Sequence, residues 1–128
     1  MKPISFIQPS RNNLKYLKWS YATNDIVMIY HADMYACPKL DEMIIKHIEP
    51  GKVISATRIE PPLHPDGPEK ILEDFGIEPE EFQEQKLMDY LKNINIGSKT
   101  SKGIFAPWAI YKKDFQAING HDPLYAPQ

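Results

Sequence analysis

The stretch Ile26-Val-Met-Ile-Tyr-His-Ala-Asp-Met34 decides how this chain is read. Residues Ile26 to Tyr30 are apolar with β-branched members, the pattern of a short buried strand. The run then passes directly into His31-Ala32-Asp33. A strand that ends this way puts a carboxylate at the carboxyl edge of a sheet, where open α/β sheets bind their ligands. An aspartate at such an edge suits a hard divalent cation that also holds phosphate oxygens. The competing reading is that Asp33 caps the next turn, and the stretch taken alone favours it.

Upstream, Ile4 to Gln8 alternates apolar and polar residues and reads as a short strand that Pro9 and Ser10 end. Ser10 is a candidate N-cap for a helix over Arg11 to Thr23, with Leu14, Leu17 and Tyr21 on one face. Strand, tight loop and helix resemble the opening unit of a nucleotide-binding α/β fold. The loop Pro9-Ser10-Arg11-Asn12 then offers backbone donors and polar side chains to a ligand. An ordinary capped turn is the alternative. No glycine-rich phosphate loop follows the strand, which disfavours dinucleotide and P-loop readings.

Downstream, Pro38 to Ile48 reads as a helix with Pro38 at its first position and Asp41 and Glu42 in its first turn. Leu40, Met43, Ile44 and His47 share a face, and His47 is read as a helix-end residue rather than a metal ligand. Lys52 to Ile59 reads as a third strand, with Arg58 placed to meet an anionic ligand or to pair with Glu60. The proline-rich loop 61–68 carries His64 and Asp66, solvated by default and substrate-facing in the alternative. Glu69 to Phe75 predicts a short helix ended by Gly76. Pro79 opens a longer one through about Asn93, with Phe82, Leu87, Tyr90 and Leu91 as its apolar stripe. Residues 97–103 form a polar linker, either a mobile loop over a site or simply exposed. Ile104 to Tyr111 is an apolar strand, followed by a short helix around Phe115 and a glycine turn presenting His121 and Asp122.

Composition narrows the classes. A chain of 128 residues is one domain by the usual prior. Apolar content of 42% with 25% charged residues fits a globular soluble chain. The formal charge is −2 and no basic block interleaves with aromatics, so nucleic-acid binding is disfavoured. Apolar runs are too short for a membrane span, and Met1-Lys2-Pro3 leads into a strand rather than a signal peptide. Cys37 is the lone cysteine, so no intramolecular disulfide forms and a cytoplasmic location is expected. Cys37 reads as a small filler residue rather than a nucleophile.

Taken together, three segments resemble a family 2 glycosyltransferase of the GT-A type. Phe6-Ile-Gln-Pro-Ser-Arg-Asn12 resembles its first strand and nucleotide-facing loop. Ala22-Thr-Asn-Asp-Ile-Val-Met-Ile-Tyr-His-Ala-Asp-Met34 resembles the segment ending in its metal-binding DxD motif. Gly103-Ile-Phe-Ala-Pro-Trp-Ala-Ile-Tyr-Lys-Lys-Asp-Phe-Gln-Ala-Ile-Asn-Gly-His-Asp122 resembles the acceptor-side segment. The resemblance implies a single truncated GT-A-like domain over 1–128, a nucleotide-diphospho-sugar transferase fold with a small three-layer α/β architecture. It implies a nucleotide-sugar donor, an acceptor of unknown kind and a divalent metal, manganese or magnesium. Pro9, Ser10, Arg11 and Asp33 would hold the donor, and Asp33 with His31 the metal.

The departures are specific. His31 stands at the first acidic position of DxD. Two strand–helix pieces of the family, with the aspartate that reads the base, have no counterpart between Tyr21 and the Asp33 strand. The acidic pair that supplies the general base is unmatched. Asp122 falls on the acceptor side and is a candidate base by position only, a structural role in the turn being the competing reading. The sequence therefore looks like a family member with an internal deletion and a missing C-terminus. A non-catalytic ligand-binding or assembly module of the same ancestry is the alternative function. Strands removed from a sheet leave open edges, so a homo-oligomer is expected.

Overall fold

The computed structural model describes residues 4–7, 21–94 and 104–120. Among these residues it is a mixed α/β arrangement with a small mixed sheet, a two-stranded sheet and three α-helices. Contacts divide the chain into two compact units, Met1–Ala56 with Ile104–Gln128, and Thr57–Gly103.

The first unit is built on four strands: β1 (Ile4–Ile7), β2 (Ile26–Ile29), β3 (Ile54–Ser55) and, late in the chain, Trp108–Tyr111, which is numbered β6 below. Their order is β1-β2-β6-β3. β1 runs parallel to β2, with Ile4 opposite Ile26 and Ile7 opposite Ile29. β6 is antiparallel to both β2 and β3, with Ile26 opposite Tyr111 and Ile54 opposite Ala109.

All of β2 is buried, because side chains alternate between faces and both faces are covered. Ile26 and Met28 join Ala109 and the helix α1 (Leu40–His47), whose Ile44 and following Ile48 are buried there. Val27 and Ile29 point the other way, to Ile110 and Phe115. Phe115 belongs to α3 (Lys112–Ala117), which starts on the residue after β6 and sets its ring edge-on to Trp108 at 5.7 Å. Helix, sheet and helix thus form three layers.

Within α1 the buried row differs from the one predicted. Leu40, Ile44 and Ile48 recur every fourth residue and pack on the sheet with Ile45, while Met43 and His47 face outward. Three branched aliphatic side chains at this spacing outweigh a row that includes a histidine. Pro38 does not open the helix either: Lys39 caps it at φ 68°, and Pro38 lies in the preceding turn.

Three further expectations are corrected from Lys52 onward. Lys52 to Ile59 is not one strand. It ends in the first unit as β3, and β4 (Arg58–Glu60) starts a separate sheet. The predicted helix Glu69 to Phe75 is instead a strand, β5 (Lys70–Leu72), lying parallel to β4 with Arg58 opposite Lys70 and Glu60 opposite Leu72. Cross-strand ion pairs explain the choice. Lys70 Nζ lies 2.6 Å from Glu60 Oε1, and Arg58 reaches Glu69 at 3.1 Å.

The helix expected from Pro79 is broken as well. A 3₁₀ turn (Pro79–Glu81) stops at Phe82, whose ψ of 120° is extended, and α2 (Glu84–Leu91) starts afresh. Gln83 N–H donates to the Phe75 carbonyl at 2.7 Å, which fixes the break. Leu87 is the buried member of the stripe, and Tyr90 packs on Phe75 at 5.5 Å. No helix among the described residues is long and apolar enough to cross a membrane.

Candidate functional site

Because β1 and β2 are parallel, the chain leaves both strands at the same sheet edge. Tyr30 follows the last residue of β2, and Ala32 and Asp33 form a turn. Asp33 and His31 are both exposed in it. Asp33 is neither helical nor packed into the core, so its carboxylate is open to a ligand.

The turn is tied at two points. The Met34 N–H donates to the His31 carbonyl at 3.4 Å, a long bond. The Tyr30 hydroxyl donates to the Met34 carbonyl at 2.8 Å. The Tyr30 ring packs on the α1 face of the sheet and meets Phe6 of β1 edge-on at 5.9 Å. Burial pushes the Tyr30 hydroxyl pKa upward, and the neighbouring Cys37 and Asp33 side chains raise it further. The phenol therefore keeps its proton, and with it the hydrogen bond. Cys37 is half-buried, and burial raises its thiol pKa too, against a smaller lowering by a backbone hydrogen bond. A protonated thiol is a poor nucleophile, in accord with a filler role.

Pro9, Ser10, Arg11 and Asp122 lie outside the described residues, as do the linker 97–103 and most of the predicted helix from Arg11. Among the described residues no three His, Cys, Asp or Glu side chains converge on one point. His31 and Asp33 offer one imidazole and one carboxylate. Of these, the carboxylate is the oxygen ligand that a hard divalent cation prefers, whereas an imidazole suits softer metals better.

A concave region lies at the opposite end of β2. Asp25, Tyr111, Lys112, Lys113 and Gln116 line an open depression of about 340 Å³. Its basic groups are already engaged. Lys112 donates its backbone N–H to the Asp25 carbonyl and its ammonium to the Ala22 carbonyl, each at 2.7 Å, and Lys113 lies over the Tyr111 ring. These contacts fasten α3 to the chain entering β2, which is a structural task.

Arg58 takes the second of its two predicted roles, pairing with Glu60 at 3.7 Å as well as with Glu69. His64 and Asp66 are exposed, and the Asp66 carboxylate accepts the Gly67 N–H at 2.7 Å. Tyr30 is the residue that sequence reasoning missed. It counted there as the last apolar member of a strand, and its hydroxyl, placed just before His31, was the available signal. Comparison with protein-family models, with curated proteins and with solved structures gives no match to this chain.

Proposed function

We propose that this chain binds the diphosphate of a nucleotide-sugar donor at the edge shared by β1 and β2, as the donor half of a glycosyltransferase-type reaction. One observation carries the reading. Parallel pairing of Ile4–Ile7 with Ile26–Ile29 brings the ends of β1 and β2 to the same edge, where β2 runs into the exposed His31-Ala32-Asp33 turn. That edge is where open α/β sheets take their ligands.

In this reading the exposed Asp33 carboxylate would hold a divalent cation, with His31, two residues before it, as a further candidate. A bound cation supplies positive charge to the diphosphate leaving group. Arg11 and the backbone of the first loop supply further donors to the phosphates. The acceptor's proton goes to a carboxylate on the acceptor side, where Asp122 is the position the resemblance implies.

Calorimetry with uridine and guanosine diphosphates, with and without manganese, tests the proposal. The expected outcome is binding that requires manganese and is lost in Asp33→Ala. Absence of binding to either nucleotide, or binding that Asp33→Ala leaves unchanged, overturns it.

A further inference from the structure

We infer that Tyr30 is a positioning residue for Asp33: its hydroxyl clamps the turn that carries the carboxylate and so sets how well that turn takes a divalent cation. The inference rests on the donor-binding reading above. Residues 31–33 are exposed, and little packing holds them. Each backbone left free to move must be ordered when a ligand binds, at a cost of about 1–2 kcal/mol per residue. A turn already closed has less ordering left to do, which is the benefit of a preorganised site.

The clamp has two firm ends. One is the Tyr30 ring, half-buried against the cluster that includes Ile26, Met28 and Ile44, and edge-on to Phe6. The other is the Met34 carbonyl, 2.8 Å from the Tyr30 hydroxyl. Asp33 lies between them. The backbone bond from Met34 to His31 is long at 3.4 Å, so the tyrosine is the stronger of the two ties. The Tyr30 hydroxyl bonds the main chain of the turn, so Tyr30→Phe removes that bond and keeps the ring.

The test titrates manganese against a fixed concentration of uridine or guanosine diphosphate, in the full chain and in Tyr30→Phe. The manganese half-saturation is expected to rise about five-fold, as for one ordinary hydrogen bond lost. The thermal midpoint stays close to that of the parent, and amide exchange quickens across residues 31–34. An unchanged half-saturation in Tyr30→Phe overturns the inference and leaves the donor reading standing. So does a lowered midpoint with no change in manganese dependence, which assigns Tyr30 to stability alone. If the parent chain shows no manganese-dependent binding, the donor reading fails first and the inference falls with it.

Discussion

The two sheets of this chain are held by different forces. In the four-stranded sheet, Val27 and Met28 are fully buried and Ile26 is 1% exposed, and the described core contains no buried polar or charged residue. In the two-stranded sheet every residue of β4 and β5 is only half-buried. Arg58 and Lys70 face each other across the ladder, a like-charge pair that would repel. Glu60 and Glu69 offset it, each within ion-pair distance of both cations. Two strands bury too little apolar surface to be stable by area alone. The first sheet is therefore sensitive to volume, and the second to charge.

Amide exchange in the full chain can separate these sensitivities, since it reads each sheet through its own backbone. The largest effect is expected from Met28→Ala, which empties a site with no exposure and costs about 3 kcal/mol. Protection should fall across β1, β2 and β6. If β2 amides keep parent protection, the apolar sheet is not what holds that unit. Lys70→Met keeps volume but leaves Glu60 and Glu69 sharing Arg58, at a cost of about 2 kcal/mol. Faster exchange in β4 and β5 is the expected result, and no change would mean the ions are incidental.

Acid should give the smallest effect and the sharpest contrast. The hydrogen bond from Lys70, helped by the charges of Arg58 and Lys70, holds the Glu60 carboxyl below its ordinary pKa, against the upward push of burial. A depressed carboxyl contributes stability that is complete above its unfolded pKa, about 4.3. That contribution is lost as pH falls through the lower folded value. Below pH ~4, then, the two-stranded sheet should lose protection while β2 holds. Equal loss in both sheets would remove the distinction.

The same contrast explains what the amino-acid sequence let one read. The β2, β6 and α3 segments were legible because each carries its own local apolar signal, a short apolar run or a buried aromatic, that burial alone selects. The strand at Lys70–Leu72 was not, because Glu69 to Phe75 mixes charges and apolar residues at a spacing that suits a helix as well. Its deciding partner, Glu60, lies outside the segment, across the proline-rich loop, and leaves no mark on the segment's own pattern. The division of Lys52–Ile59 was equally hidden. Ala56 N–H bonds to Pro107 in one unit and Arg58 N–H to Glu69 in the other. Of the candidate site, the place of Asp33 at a strand end was legible from the apolar run before it. The tie from Tyr30 was not, since a side-chain bond to a main-chain carbonyl leaves no periodic trace.

The junction of β6 and α3 has a consequence of its own. No loop residue intervenes between Tyr111 and Lys112, so the phase of the helix is locked to that of the strand. One inserted residue would turn the helix by about 100° and swing Phe115 off Trp108. Length variation is therefore excluded at this joint, and any lineage carrying the fold must place its insertions elsewhere.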